Sequence, residues 1–275
     1  MKEQIDIDST QNQTNSITSD AILKSKESLI KTLTMNWPLK SEIKNQNSTQ
    51  TAFEKSAKSY DEDPFTEFLF SAENNIVSEL LDISTWDKVL DLWCGTWKYI
   101  KLFAKNTEVE ITWTDISEKM IQQSVQNNQD SNIEYEIANI EDRLPFPDNS
   151  FDKINCAHVL KFILTQEWLE NTFKEIARIL KPWWVFVFSN NHPDRNFEWE
   201  DFKLKRKEEE SDNDNEIEMH LHKINNYIQA CKTAGLEIEE QVDVTISDNS
   251  NYLIKEESFK KTKWKKVIIA FKMKK

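Results

Sequence analysis

Between Asp87 and Phe188 strand-length apolar runs alternate with amphipathic stretches, and that alternation leaves few folds open. Val89–Leu92, Val109–Thr114, Ile133–Ile137, Phe151–Ala157 and Val185–Phe188 are short runs rich in Val, Ile, Leu and Phe. Helical spacing lies between them. Thr96–Lys105 puts Ile100, Phe103 and Ala104 on one face, and Ser117 caps a run to Asn128 with Met120, Ile121 and Val125 inward. Glu167–Leu180 carries Leu169, Phe173, Ile176 and Ala177 and stops at Lys181-Pro182. Strand–helix units in succession predict an α/β fold, a doubly wound parallel sheet with helices on both faces. Val185–Phe188, apolar throughout, reads as a central strand. Farther on, a helix at His222–Ala234 ends at Gly235, and Leu236–Val244 and Lys265–Met273 read as an antiparallel hairpin at the sheet edge.

The flanks are different in kind. Residues 1–50 are rich in Asn, Gln, Ser, Thr and Lys with few hydrophobes, and read as a disordered low-complexity tail with one short helix near 20–33. Order is expected over 51–275. Helices at 51–85 (Phe53, Ala57 and Tyr60, then Pro64–Asp82) precede the first strand, and the polar, acidic stretch 190–220 reads as a flexible loop. A net charge of −13 argues against general affinity for phosphate backbones, so a nucleic-acid partner is not expected. The Lys-rich run from Lys260 to Lys275 reads as an edge strand with solvated lysines. Three widely spaced cysteines (Cys94, Cys156, Cys231) make neither a disulfide framework nor a zinc pattern, and His220 and His222 do not share a helix face, so no metal site is expected. No segment approaches 18 consecutive apolar residues, and the first residues lack an apolar core; a cytoplasmic protein without membrane contact is expected.

The chain holds ten tryptophans and two glycines, where about 7% glycine is usual. The tryptophans fall where turns want glycine: KVLDLWCGTW (Lys88–Trp97) is a buried strand running into a tight turn. In open parallel sheets ligands bind beyond the carboxyl ends of the strands, so this first strand–loop–helix is the place to look for a site.

Four stretches carry a resemblance. VLDLWCGTWKYIKLFAK, ITWTDISEKMI, LPFPDNSFDKI and EIARILKPWWVFVFS are similar to the motifs of class I S-adenosylmethionine (SAM)-dependent methyltransferases, most like the small-molecule type 11 group, over roughly residues 51–275. The resemblance implies a Rossmann-like sheet of seven strands, mostly parallel, with an antiparallel C-terminal strand. Apart from Gly95, the glycines of the family motifs stand here as Trp: positions 93, 97, 113, 183 and 184, with Trp86 of the same kind and Trp37, Trp168, Trp199 and Trp264 undecided. We read these as glycines encoded by UGA in a code that assigns UGA to glycine. A UGG codon at any of the five would sink that reading.

The resemblance also implies roles. Asp91 would orient the methionyl amino group of SAM. The backbone at Trp93, Cys94, Gly95 and Trp97 would approach the methionine part, which asks for bare glycine backbone. Asp115 would accept hydrogen bonds from the ribose hydroxyls, Ile116 and Met120 would line the adenine, and Asn139 and Ile140 would meet its amino edge, with Asn139 standing where the family often has Asp. Ala157 ends the fourth strand at the face where the acceptor meets the methyl group. His158 is the first candidate for a base, with Tyr60 and His192 behind it, each equally readable as a surface or packing residue. The expected activity is methyl transfer from SAM to a small-molecule or carrier-linked acceptor. The alternatives are an inactive binding protein on the same fold, if Trp93 and Trp97 are genuine, and an RNA or tRNA methyltransferase. The oligomeric state is left open.

Overall fold

A computed structural model of the chain describes residues 48–62, 64–93, 95–96, 99, 103, 108–128, 133–194, 219–245 and 266–275. Two helices come first, α1 (Ser48–Ser56) and α2 (Pro64–Leu81), separated by a 3-10 turn at Tyr60–Glu62. The Phe53–Ala57–Tyr60 pattern therefore spans a helix end and a turn rather than one helix, and α1 begins just before the expected boundary at Thr51. The core follows as β1 (Lys88–Leu92), β2 (Glu110–Asp115), α3 (Glu118–Asn127), β3 (Ile133–Ile137), β4 (Phe151–Ala157), α4 (Gln166–Ile179) and β5 (Leu180–Asn191). It closes with α5 (Ile224–Ala234), β6 (Glu237–Thr245) and β7 (Lys266–Lys274).

The seven strands form one sheet in the order β3-β2-β1-β4-β5-β7-β6. Pairings from β3 across to β5 are parallel, and β7 runs antiparallel to both neighbours, β5 and β6. The order reverses beside β1, so the carboxyl ends of β1, β2 and β4 border the crevice where such sheets bind ligands. This is the Rossmann-like α/β architecture the sequence predicts.

Local chemistry explains the element ends. Ser117 caps α3 by accepting from Met120 N–H, and Thr165 caps α4 by accepting from Trp168 N–H. Gly235 ends α5 at φ +72°, its N–H reaching Cys231 and Lys232 carbonyls in the left-handed turn glycine adopts freely. The helix stop at Lys181-Pro182 comes out differently: α4 ends at Ile179, and β5 already begins at Leu180, running through Pro182. The β4–β5 register shifts between Phe151 and Lys153, and this irregularity accommodates a residue with no N–H to give.

The lysine-rich C-terminal strand is also not an edge. β7 lies between β5 and β6, and Val267–Phe271 are buried. Its described lysines face acids instead: Lys266 pairs with Asp243 (2.6 Å), and Lys274 and Lys272 with Glu239. β6 takes the edge. The core runs along the middle of the sheet, where Phe173 of α4 meets Phe186 and Phe188, and Phe188 stacks on Phe271 at 4.9 Å between ring centroids.

Candidate active site

Asp91, next to the last residue of β1, and Asp115, the last residue of β2, lie on adjacent parallel strands, both enclosed. Burial pushes each carboxyl up to about 7, although hydrogen bonds to the ionised form pull the other way. Asp91 Oδ1 accepts from Asn155 Nδ2 (2.8 Å) of β4, and Oδ2 accepts from the Trp113 indole N–H (2.6 Å) of β2. Asp115 Oδ1 accepts from Ser117 N–H (2.8 Å), and Oδ2 from Gly95 N–H (3.0 Å). Asp115 thus ties the loop after β1 to the start of α3.

Gly95 sits at φ +65°, a backbone that favours glycine, and a Cβ built there would press on the Tyr60 ring at 3.2 Å from Cε1. Tyr60 therefore covers the loop after β1. The segment 48–62 holds that position through Phe53, edge-on to Tyr60, Trp93 and Phe162, through Gln50 Nε2 donating to Ile116 O (3.0 Å), and through Glu54, which accepts from Ser117 Oγ (3.1 Å).

Trp93 occupies the middle of this arrangement. Its φ is +58°, its ring lies beside Phe162 and Phe53, and its indole N–H is buried without a partner. Trp113 is wholly buried, on Asp91. Six non-glycine residues among those described have positive φ: Asp82, Trp86, Trp93, Asn149, His158 and Trp183. Asp, Asn and His tolerate that region; a bulky indole does not, and three of the six are Trp. Trp86 and Trp183 are also 73% and 84% exposed.

The other expected residues fall around the same strand ends. Ile116 and Met120 are buried beside Asp115, and Ile140 is buried after β3. Asn139 Oδ1 accepts from Glu141 N–H (3.1 Å), so its amide already closes a local turn. Ala157 ends β4, half-buried. Cys94 and Trp97 lie outside the described residues, as do Lys98, Ile100 and Ala104, most of the helix expected at 96–105, residues 1–47, and 195–218 of the expected loop.

Of the three base candidates, His192 is the most occupied: Nδ1 accepts from Asp194 N–H (3.0 Å), leaving Nε2 to donate to Asp243 (3.1 Å) at the β5–β6 side. His158 stands at φ +59° just past β4, its N–H on Ser189 O (2.9 Å) and its Nδ1 at 3.1 Å from Asn191 Oδ1. Its Nε2 faces Glu73 Oε1 of α2 at 3.0 Å, out of line for a full hydrogen bond. Glu73 also accepts from Tyr99 O–H. Burial pushes the Glu73 carboxyl up, but the His158 ring beside it, with hydrogen bonds from Ser189 and Tyr99, outweighs that and holds the group below its ordinary value. Sequence reading passed over Glu73 and Asn191, since an acid inside an amphipathic helix and an amide at a strand end carry no local signal. Among the described residues no group of three or more His, Cys, Asp or Glu is placed to hold a metal, and no helix is long and apolar enough to cross a membrane.

Residues 89–183, from β1 into β5, match a family described as a methyltransferase domain. The chain is 26% identical over 196 residues to the ubiquinone/menaquinone biosynthesis C-methyltransferase UbiE of Rickettsia bellii, covering 70% of this chain and 72% of that one. Among solved structures it is similar to a methyltransferase in complex with the Trm112 methyltransferase activator of Haloferax volcanii (TM-score 0.63, 19% identity, 82% of this chain and 96% of that one). It is also similar to an S-adenosylmethionine-dependent methyltransferase of Mesorhizobium loti (TM-score 0.58, 18% identity, 74% and 98%). The matched methyltransferase domain and these relatives support a SAM-dependent methyltransferase, with S-adenosylmethionine as the methyl donor.

Proposed function

We propose that the acceptor is a small or carrier-linked metabolite, and that the chain is built for glycine where it carries Trp93, Trp97, Trp113, Trp183 and Trp184, the first three around the cofactor and the last two near the amino end of β5. S-adenosylmethionine supplies a methyl group already activated on a sulfonium, so the protein's task is alignment and exclusion of water. The observation that carries the site is the pair of buried carboxylates flanking Gly95. Asp91 would receive the cationic amino group of the methionyl part. Asp115 would receive the ribose hydroxyls, with Ile116, Met120 and Ile140 against the adenine, Asn139 at its edge and Ala157 near the methyl group. The carboxylates and Gly95 fit the cofactor. Two indoles do not: Trp113 holds the Asp91 oxygen that the amino group would take, and Trp93 fills the turn from a left-handed backbone. Glycine at 93 and 113 would remove both obstructions, and glycine at 93 and 183 would also release unfavourable backbone. The acidic balance of the chain and the small-molecule pathway in its relative's name support a metabolite acceptor.

Calorimetric titration of SAM into the chain as written, and into a chain with glycine at the five positions, tests this reading. Binding is expected in the second. No binding in either defeats the cofactor assignment and leaves a binding protein on a methyltransferase fold, while UGG codons at the five positions defeat the glycine reading alone.

A further inference from the structure

Asn155 is out of place by composition. β4 is a central strand, buried at every position but the last, where apolar side chains are the rule, yet this amide is wholly enclosed between Ile154 and Cys156. Its partner in the β1–β4 register is Asp91. Nδ2 donates to Asp91 Oδ1 at 2.8 Å, and Oδ1 meets no partner. Interiors leave few polar atoms unmet, so an amide kept at that cost has a use, and among the described residues the bond to Asp91 is the only one its side chain makes. Asp91 has need of it. Burial is the strongest influence on this carboxyl and the Asp115 charge adds to it, both favouring the neutral acid; Asn155, and after it the Trp113 indole, favours the carboxylate. The other titratable groups nearby, Tyr99 and Cys156, are held neutral by burial, so no cation faces Asp91 among the described residues.

We propose that Asn155 is a positioning residue for the cofactor, occupying Oδ1 of Asp91 as a donor so that the acid stands as a carboxylate with Oδ2 turned to the cationic amino group of SAM. The proposal rests on the cofactor reading above and adds the residue that makes its first acid usable. An amide has two ends: its N–H serves the ionised acid, whereas its carbonyl would serve only the protonated one. The end presented here is the donor. A neutral acid offers an ammonium group no charge, so SAM binding weakens as pH falls through the titration of Asp91, and Asn155 moves that limit downward. Glycine at 113 would remove the indole bond and leave Asn155 as the remaining described side-chain donor to Asp91. Leucine, close to asparagine in shape, would suit a buried strand at least as well, but it would return Asp91 to the neutral form.

Two readouts test it. In the full chain as written, the Trp113 indole N–H lies 2.6 Å from Asp91 Oδ2, so its NMR resonance, identified with Trp113→Phe, follows the charge on the acid. We expect its midpoint at about 7, and about one pH unit higher in Asn155→Leu, the loss of one hydrogen bond to a charged group. Asn155→Asp keeps the shape, sets a second carboxyl beside the first and should raise the midpoint at least as far, which keeps the test open if the leucine chain does not fold. In the chain with glycine at the five positions, Asn155→Leu should weaken SAM about five- to tenfold near pH 6.5 and less than about threefold near pH 8.5. A packing role alone would give the same deficit at both. A midpoint that neither substitution moves, or a SAM deficit equal at the two pH values, would overturn the proposal. A shifted midpoint with no SAM binding at either pH defeats the cofactor reading and leaves the hold of Asn155 on Asp91 standing.

Discussion

The carboxyl ends of β1 and β2 and those of β4 and β5 border the same crevice and treat their polar groups in opposite ways. At β1 and β2 all four oxygens of Asp91 and Asp115 are hydrogen-bonded, one by an indole. At β4 and β5 the Glu73 carboxylate faces His158 (3.0 Å), Tyr99 and Ser189, while His158 Nε2 and Asn191 Nδ2 keep no well-aligned partner. The first region is closed by aligned bonds, one of them from a side chain standing where a ligand group would; the second is held by looser contacts. A residue that satisfies a site from within competes with the ligand the site is for.

The largest effect that would sharpen this contrast is at Trp93, Trp97 and Trp113. Glycine at the five motif positions should raise SAM affinity by at least about a hundredfold, roughly 2.7 kcal/mol, measured by calorimetry. An unchanged affinity would mean that the indoles do not compete. In that glycine-bearing chain, Asp115→Ala should weaken SAM by about ten- to a hundredfold, while Ser189→Ala at the other strand ends leaves SAM affinity within about twofold; equal loss in both would erase the distinction between the regions.

A third measurement concerns pH. Asp91 and Asp115 titrate at about 7 in the fold and near 4 when unfolded, so between those values the folded state holds more protons than the unfolded chain. Their contribution is most favourable below pH 4, and it is lost as pH rises to about 7. Without cofactor, thermal stability should fall from pH 5 to pH 8, and Asp91→Asn should recover on the order of 2 kcal/mol at pH 8. A stability that climbs over that range would show the acids to be paired by something else. The smallest effect separates two adjacent tryptophans. Trp183→Gly should stabilise by about 0.5–1 kcal/mol, because it relieves a left-handed backbone at an exposed position. Trp184→Gly should destabilise by about 1 kcal/mol, because that indole packs on the core and lies under Lys153. Denaturant midpoints of the two variants distinguish them.

Much of the fold was legible because strand and helix periods rarely conflict here. β3 and β4 match their apolar runs residue for residue, and Ser117 and Gly235 mark helix ends by chemistry that is local. What escaped was set by neighbours. The helix does stop at Lys181-Pro182 as it reads, but a strand rather than a loop follows: β5 begins at Leu180 and carries its extra residues, Pro182 among them, opposite Phe151–Lys153 of β4. The lysines of β7 read as an exposed edge, yet β6 covers them with Asp243 and Glu239. In the site, Asp115 could be picked out because it ends a strand, and Asp91 because it stands just before the loop motif the resemblance identifies. Glu73 could not, since its role comes from α2 lying across His158, a contact between residues distant in sequence.

The position of β7 has a consequence for how the protein is made. Translation delivers β6 before the strand that joins it to the sheet, so residues 237–245 leave the ribosome before their partner strand exists. At roughly 5–20 residues per second the interval until Lys274 is about a few seconds. Throughout it β5 shows its backbone to other chains on the side that β7 later fills. Nascent chains stalled or cut in that interval carry an assembled parallel half and an open central strand, the form that recruits chaperones or aggregates.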